Sequence, residues 1–231
     1  MADTLAGSVR MLCTNGLKAV FEAIGPDLER TAGIRLSADY GSTAKFTERI
    51  LGGDVPDVVI LTDEALDRLI AAGRIDGGRT DVARSFIGVA VRKGTPLPDI
   101  GSRDAFVRTL RDAGAIACSR LGASGQHFRY LLDRLGLAEE LAPKITAYDG
   151  YAGGACADGK ADIAIQQISE LMPVAGLEIV GPLPDELQKS SIFSAGVGAG
   201  RAQQAAARNF IARVTSGAYD RVLRDKGLEP P

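Results

Sequence analysis

The sequence predicts an α/β protein of two lobes, each a mixed sheet flanked by helices. Three observations predict it. Short apolar runs alternate along the chain with helical apolar spacing, the pattern of βαβ units. Two breakers rich in glycine and proline, Gly94-Thr95-Pro96-Leu97-Pro98 and Gly181-Pro182-Leu183-Pro184, flank a self-contained middle segment. The 231 residues, 45% of them hydrophobic, suffice for two small cores. Residues 93–189 are therefore expected to form an inserted lobe, and residues 1–92 with 190–231 the lobe it interrupts.

Each element follows from local pattern. Residues 9–13 (VRMLC) form a short apolar strand, and Thr14-Asn15-Gly16 turns it into a helix over 17–31 with a stripe at Leu17, Val20, Phe21, Ile24 and Leu28. Pro26 is expected to bend or interrupt that helix. Residues 34–40 alternate as a half-buried strand, and Gly41-Ser42-Thr43 opens a second helix. Residues 57–61 (DVVIL) are a continuous buried strand, and Thr62 or Asp63 caps a helix over 64–72 that Gly73 ends. Residues 85–91 (SFIGVAV) are a further strand before the first breaker. The middle segment then reads as helix 103–113, strand 115–118, helix 124–135, strand 145–148, a helix near 151–158 and strand 162–165. After the second breaker come strand 191–197 and helices near 202–214 and 217–226, with Lys226-Gly227 as a basic, glycine-stopped end.

Composition excludes several function classes. The 27 Lys and Arg against 29 Asp and Glu give a net charge of −2, with no long basic block. Mean hydropathy is +0.05 and the isoelectric point about 5.6. Nucleic acid is therefore not an expected partner, and neither is a membrane surface. Cys13, Cys118 and Cys156 are odd in number and lack CxxC spacing, which argues against a metal cluster. Cys13 and Cys118 sit in apolar runs, as buried thiols do. The first seven residues, MADTLAG, lack the basic and apolar regions of an export signal. The expectation is a cytoplasmic protein, or a periplasmic one whose signal has been removed. It is expected to act as a monomer, without metal or cofactor.

The chemistry-bearing residues lie at strand-to-helix junctions. Thr14-Asn15-Gly16, Gly41-Ser42-Thr43 and Gly122-Ala123-Ser124-Gly125 each combine small, hydroxyl or amide residues with a helix N-terminus, whose unpaired N–H groups and partial positive charge suit an anion. Any one of them reads equally as plain N-capping. Three together, spread over both lobes, point to a small anionic ligand held in an interlobe cleft. Arg84 is placed to clamp a carboxylate bidentately, unless it pairs on the surface with Asp81. Arg120 is a weaker candidate of the same kind. Gln166 and Gln167 end a buried strand, where either amide suits a ligand oxygen; Tyr151 is the aromatic nearest them. His127, the lone histidine, is the one candidate for proton transfer, and as readily an ordinary helix residue. Neither a GxSxG nor a Gly-Lys-Ser/Thr loop is present.

Taken in order, Leu12-Cys13-Thr14-Asn15-Gly16, Tyr40-Gly41-Ser42-Thr43, residues 56–62 (PDVVILT), residues 84–91 (RSFIGVAV), Gly122-Ala123-Ser124-Gly125 and Ser194-Ala195-Gly196-Val197 resemble the molybdate-binding branch of the type 2 periplasmic-binding proteins. The likeness runs nearly the length of the chain. It implies a periplasmic-binding-like II fold with a two-strand hinge, an anion held without metal, and an ABC transporter permease as partner. It also implies ligand contacts at Thr14 or Asn15, Ser42, Ser124 and the segment after strand 162–165. Where that branch carries Tyr-x-Thr-Asp, this chain has Gln166-Gln167-Ile168-Ser169, which with Arg84 suits a planar carboxylate better than a tetrahedral oxyanion. The same subgroup resembles aconitate isomerase, which implies, as an alternative to capture alone, a 1,3-proton shift on a tricarboxylate.

Overall fold

The computed structural model describes residues 7–231; the N-terminal stretch read above lies, through Ala6, outside the described residues. The chain runs β1 (Ser8–Thr14), a 3₁₀ turn (Asn15–Leu17), α1 (Lys18–Ala32), β2 (Arg35–Gly41), α2 (Thr43–Leu51), β3 (Val58–Thr62), α3 (Asp63–Ala71), β4 (Ile75–Ser85) and β5 (Ile87–Arg92). It continues with α4 (Arg103–Asp112), β6 (Ile116–Ser119), α5 (Ala123–Arg134), α6 (Ala138–Leu141), β7 (Ile145–Tyr148), α7 (Gly153–Ala157), β8 (Ile163–Gln167), α8 (Ile168–Leu171) and β9 (Leu177–Pro182). It closes with β10 (Ser191–Gly198), α9 (Gln204–Val214), α10 (Asp220–Asp225) and β11 (Leu228–Glu229). Two compact units result, one of the chain up to Arg84 together with Ser191–Pro231, the other of Ser85–Ser190.

The first unit is built on a sheet of order β11-β4-β10-β3-β1-β2, with β1 parallel to β2 and β3, and β10 antiparallel to β3. Strand alternation divides its core. Val9, Met11, Cys13, Val58 and Ile60 face α1, α9 and α10, whereas Leu12, Val59 and Leu61 face α2 and α3. Covering both faces is what allows β3 to be an unbroken apolar run.

The second unit has sheet order β7-β6-β8-β5-β9, with β6 parallel to β7 and β8, and β5 antiparallel to β8 and β9. Its two faces differ in side-chain size. Ile116, Cys118, Ile163 and Ile165 pack against Phe106 and Leu110 of α4 and Phe128 and Leu131 of α5. On the other face, Ala90, Ala117 and Ala164 meet Ala155 and Cys156 of α7 and Leu171 of α8. An alanine face lets two short helices lie close to the sheet.

Several expectations are corrected. The first crossing falls at 84/85 rather than 92/93, because β5 is hydrogen-bonded to β8 and β9 and so belongs to the second sheet. The expected strand 85–91 is the end of β4 and most of β5, separated at Phe86, whose carbonyl accepts from Ile168 N. The eleven-residue β4 is unforeseen, since Gly77-Gly78 and the charges at Asp76, Arg79 and Asp81 disguise it. β9 was hidden by the Gly181-Pro182 breaker, which it includes at its edge. Pro26 does not interrupt α1, where buried Ile24 and Leu28 hold the helix to the core on either side of it. All three cysteines are buried and free.

Phe106 is fully buried in the second core. Phe106→Ala is expected to destabilise that unit by about 3–5 kcal/mol. Hydrogen exchange should show lost protection in Ser85–Ser190 while the amides of β1 and β3 keep theirs.

Candidate functional site

Ligands of open α/β sheets lie beyond the carboxyl ends of the strands. In the second unit β6, β7 and β8 run parallel, so the loop before α5, residues 149–152 and the start of α8 share that edge. Ser119 ends β6, and its Oγ accepts from Gly122 N at 2.9 Å. The first turn of α5 then closes directly onto the strand: a Cβ on Gly125 would lie 1.7 Å from the Ser119 carbonyl oxygen, so glycine is required there. This approach buries Ser124 completely, and its Oγ has no hydrogen-bond partner. A buried hydroxyl left unpaired costs about 1–3 kcal/mol. It lies in the first turn of α5, where the backbone N–H groups of a helix start have no partner within the helix.

Gln166, expected to hold a ligand oxygen, instead has both ends of its amide engaged by backbone groups. Its Oε1 accepts from Ala152 N at 2.8 Å, and its Nε2 donates to the Gly150 carbonyl at 2.9 Å. The amide thus fixes the loop between β7 and α7. Gln167 is buried and accepts from Ser85 Oγ at 2.8 Å. Beyond them, Ser169 is buried with an unpartnered Oγ, and Glu170 is 8% exposed. Burial pushes the Glu170 carboxyl up to about 7, against a smaller opposing effect of the neighbouring Gln166 amide.

In the first unit Thr14 and Gly41 are register partners at the ends of parallel β1 and β2, which sets two of the expected junctions side by side. Thr14 is buried and Asn15 half-buried, and neither makes a side-chain hydrogen bond among the described residues. Gly16 is buried in the 3₁₀ turn. Ser42 caps α2, accepting from Lys45 N at 3.3 Å, while the Thr43 carbonyl accepts from Thr47 Oγ1 at 2.8 Å. Arg84 is exposed and has no ion-pair partner among the described residues, because Asp81 pairs with Arg79 instead. The structure thus groups Thr14, Asn15, Gly16, Ser42 and Thr43 at one sheet edge, and Ser124, Gly125 and Gln166 at the other.

Two candidates stand apart. His127 Nε2 lies 2.8 Å from the Leu187 carbonyl and donates to it, so this ring is tied to a neighbouring loop. Arg120 is a surface group, bonded to the Ala147 carbonyl and paired with Asp149. No cluster of three or more potential metal-ligating side chains occurs among the described residues.

The family model for bacterial extracellular solute-binding proteins matches residues 9–229. The chain belongs to this family. Aconitate isomerase of a Pseudomonas species is 32% identical to this solute-binding protein over 231 residues, covering 96% of this chain and 88% of that one. The molybdate-binding protein of Mycobacterium bovis is 22% identical, covering 98% and 86%. Among solved structures, the periplasmic molybdate-binding protein of Azotobacter vinelandii superposes with a TM-score of 0.81 at 18% identity, covering 96% of this chain and 99% of that one. The periplasmic-binding fold with two mixed sheets is thereby shown. None of the helices among the described residues is long and apolar enough to cross a membrane.

Sequence reasoning pointed to the segment after β8 of this solute-binding protein but gave neither Ser169 nor Glu170 a role within it. An acid in the first turn of a helix ordinarily serves the helix dipole at the surface. What buries Glu170 is the brevity of α8, four residues lodged between β8 and β9. The unfolded chain ionises Glu170 near 4.5 and the folded protein near 7. Between those values the unfolded state binds fewer protons, so stability falls as pH rises through the window and levels off above it. Glu170→Gln, which stays neutral, is expected to melt with wild type at pH 4.5 and to be more stable by about 3 kcal/mol at pH 8. Thermal melts of both proteins across this range check it.

Proposed function

We propose that this solute-binding protein captures a small polycarboxylate, with Ser124 and the first turn of α5 as its principal anion contact in the second unit. The observation that carries the reading is the fully buried, unpartnered Ser124 Oγ at a helix start. A carboxylate oxygen there completes the hydroxyl and takes up the N–H groups of the turn. Thr14 and Asn15, whose side chains make no hydrogen bond among the described residues, are the corresponding candidates on the first unit. Arg84, exposed and unpaired among the described residues, supplies the bidentate geometry that a planar carboxylate matches. Gln166 takes part by shaping the loop, not by touching the ligand. The protein serves an ABC transporter permease from the periplasm, acting as a monomer.

The ligand class rests on one further point. The relative named for aconitate is 32% identical, against 22% for the relative named for molybdate. That same relative favours a second reading, in which the captured tricarboxylate is also isomerised.

Calorimetry with citrate, cis- and trans-aconitate, molybdate, tungstate and sulfate tests the capture reading. A polycarboxylate is expected to bind with a Kd of about 1 μM or tighter and ahead of every oxyanion. Tightest binding of molybdate would refute the ligand class, and silence across the panel would refute the reading. Ser124→Ala is expected to weaken the polycarboxylate about 10- to 100-fold, the worth of a hydrogen bond to a charged group, without lowering the melting temperature.

A further inference from the structure

We propose that Glu170 carries the proton in a 1,3-allylic shift on the bound tricarboxylate, and that Gln166 positions it. The proposal rests on the second reading above. It starts from an unused carboxyl: Glu170 is buried in α8, directly beyond the end of β8, at the edge that presents Ser124. Its hydrogen bond comes from Gln166, whose remaining contacts are the backbone at Gly150 and Ala152. Because β6 lies between β7 and β8, this one amide ties the ends of the two strands flanking Ser119 and orients the carboxyl within that frame. The neighbouring Ser169 Oγ, buried and unpartnered, is a second donor for the carboxylates of the same ligand.

The other titratable groups at this edge of the second unit fit the task poorly. Asp149 is exposed and paired with Arg120. The Cys118 thiol is pushed up by burial, away from the range of a useful base. His127 is held to the Leu187 carbonyl. Glu170 is the one carboxyl there that burial keeps from water, and burial has set it near neutral pH, where a group both takes and returns a proton. Nothing charged nearby disturbs it. α8 packs on β5, β8, β9 and α7, on which the charged residues are Arg92 and Glu178. Both are exposed and lie at the far ends of their strands from Gly88, which packs against Ile168.

The step balances without any co-reactant. The Glu170 carboxylate takes a proton from the methylene carbon of a propene tricarboxylate. The C–H electron pair becomes the new C=C bond, and the old π pair moves to the former vinyl carbon. That carbon takes the proton back, which returns Glu170 to its carboxylate and yields the isomer.

The test pairs isomerisation of cis- and trans-aconitate, followed by absorbance, with calorimetry of trans-aconitate on wild type and Glu170→Gln. The expected result is isomerisation by wild type with kcat/KM rising with pH through about 7, as the base must be ionised in the free protein. Glu170→Gln should lose at least about 100-fold in kcat and the pH limb with it, while aconitate Kd stays within about threefold. A variant that keeps kcat within about tenfold, or loses Kd in step with kcat, overturns the assignment. Wild type that binds aconitate without isomerising it overturns the proposal and leaves polycarboxylate capture standing. Failure of wild type to bind aconitate overturns both the proposal and the reading beneath it.

Discussion

The candidate ligand edge of the second unit depends on the Gln166 amide. Its carbonyl end takes the Ala152 N–H, and its nitrogen serves the Gly150 carbonyl and the Glu170 carboxyl. Gln166, Ala152 and Glu170 are buried, so the hydrogen bonds among them satisfy polar groups that would otherwise stand unpaired in a medium of low dielectric. Without the amide, the loop after β7 would lose two of its hydrogen bonds to β8, and Glu170 would lose a donor that makes its ionised form tolerable. The same residue therefore sets backbone geometry on one side and the behaviour of an acid on the other. A glutamate at position 166 would repel Glu170, and a leucine would orphan the backbone groups.

The architecture was legible because it rests on periodicity. β3 is apolar at every position since both faces are covered, and the stripe of α1 matches one face of the sheet it packs on. Strands carrying another burden were not legible. β4 alternates only weakly, being glycine-rich and exposed through much of its length and buried chiefly at Ile75 and near Val82 and Ala83. The lobe boundary was misplaced for a related reason. Gly94-Thr95-Pro96 is a genuine break, but it follows a strand whose partners lie on the second unit, and antiparallel pairing leaves no mark on one strand's sequence.

The site was legible in kind and less so in detail. Helix starts declare themselves through Ser, Thr, Asn and Gly, yet residue type does not distinguish a hydroxyl spent on its own helix from one left free. Ser42 is of the first sort and Ser124 of the second. The difference arises in the strand before: Gly125 lets α5 descend onto the Ser119 carbonyl, and this descent, not the serine, isolates the hydroxyl. Gln166 illustrates the opposite error. Two amides at a strand end looked surplus to packing, whereas the backbone of the neighbouring loop uses one of them completely.

Glu170 brings these strands of argument together. A glutamine there would keep the shape and a neutral acceptor, and would spare the protein the free energy it gives up above pH 4.5 to keep an acid buried. Capture of an anion gains nothing from a second negative charge at the same edge, which repels the ligand once Glu170 ionises. A buried carboxyl poised near neutrality is useful where a proton must leave one carbon and arrive at another, which is the role proposed for Glu170.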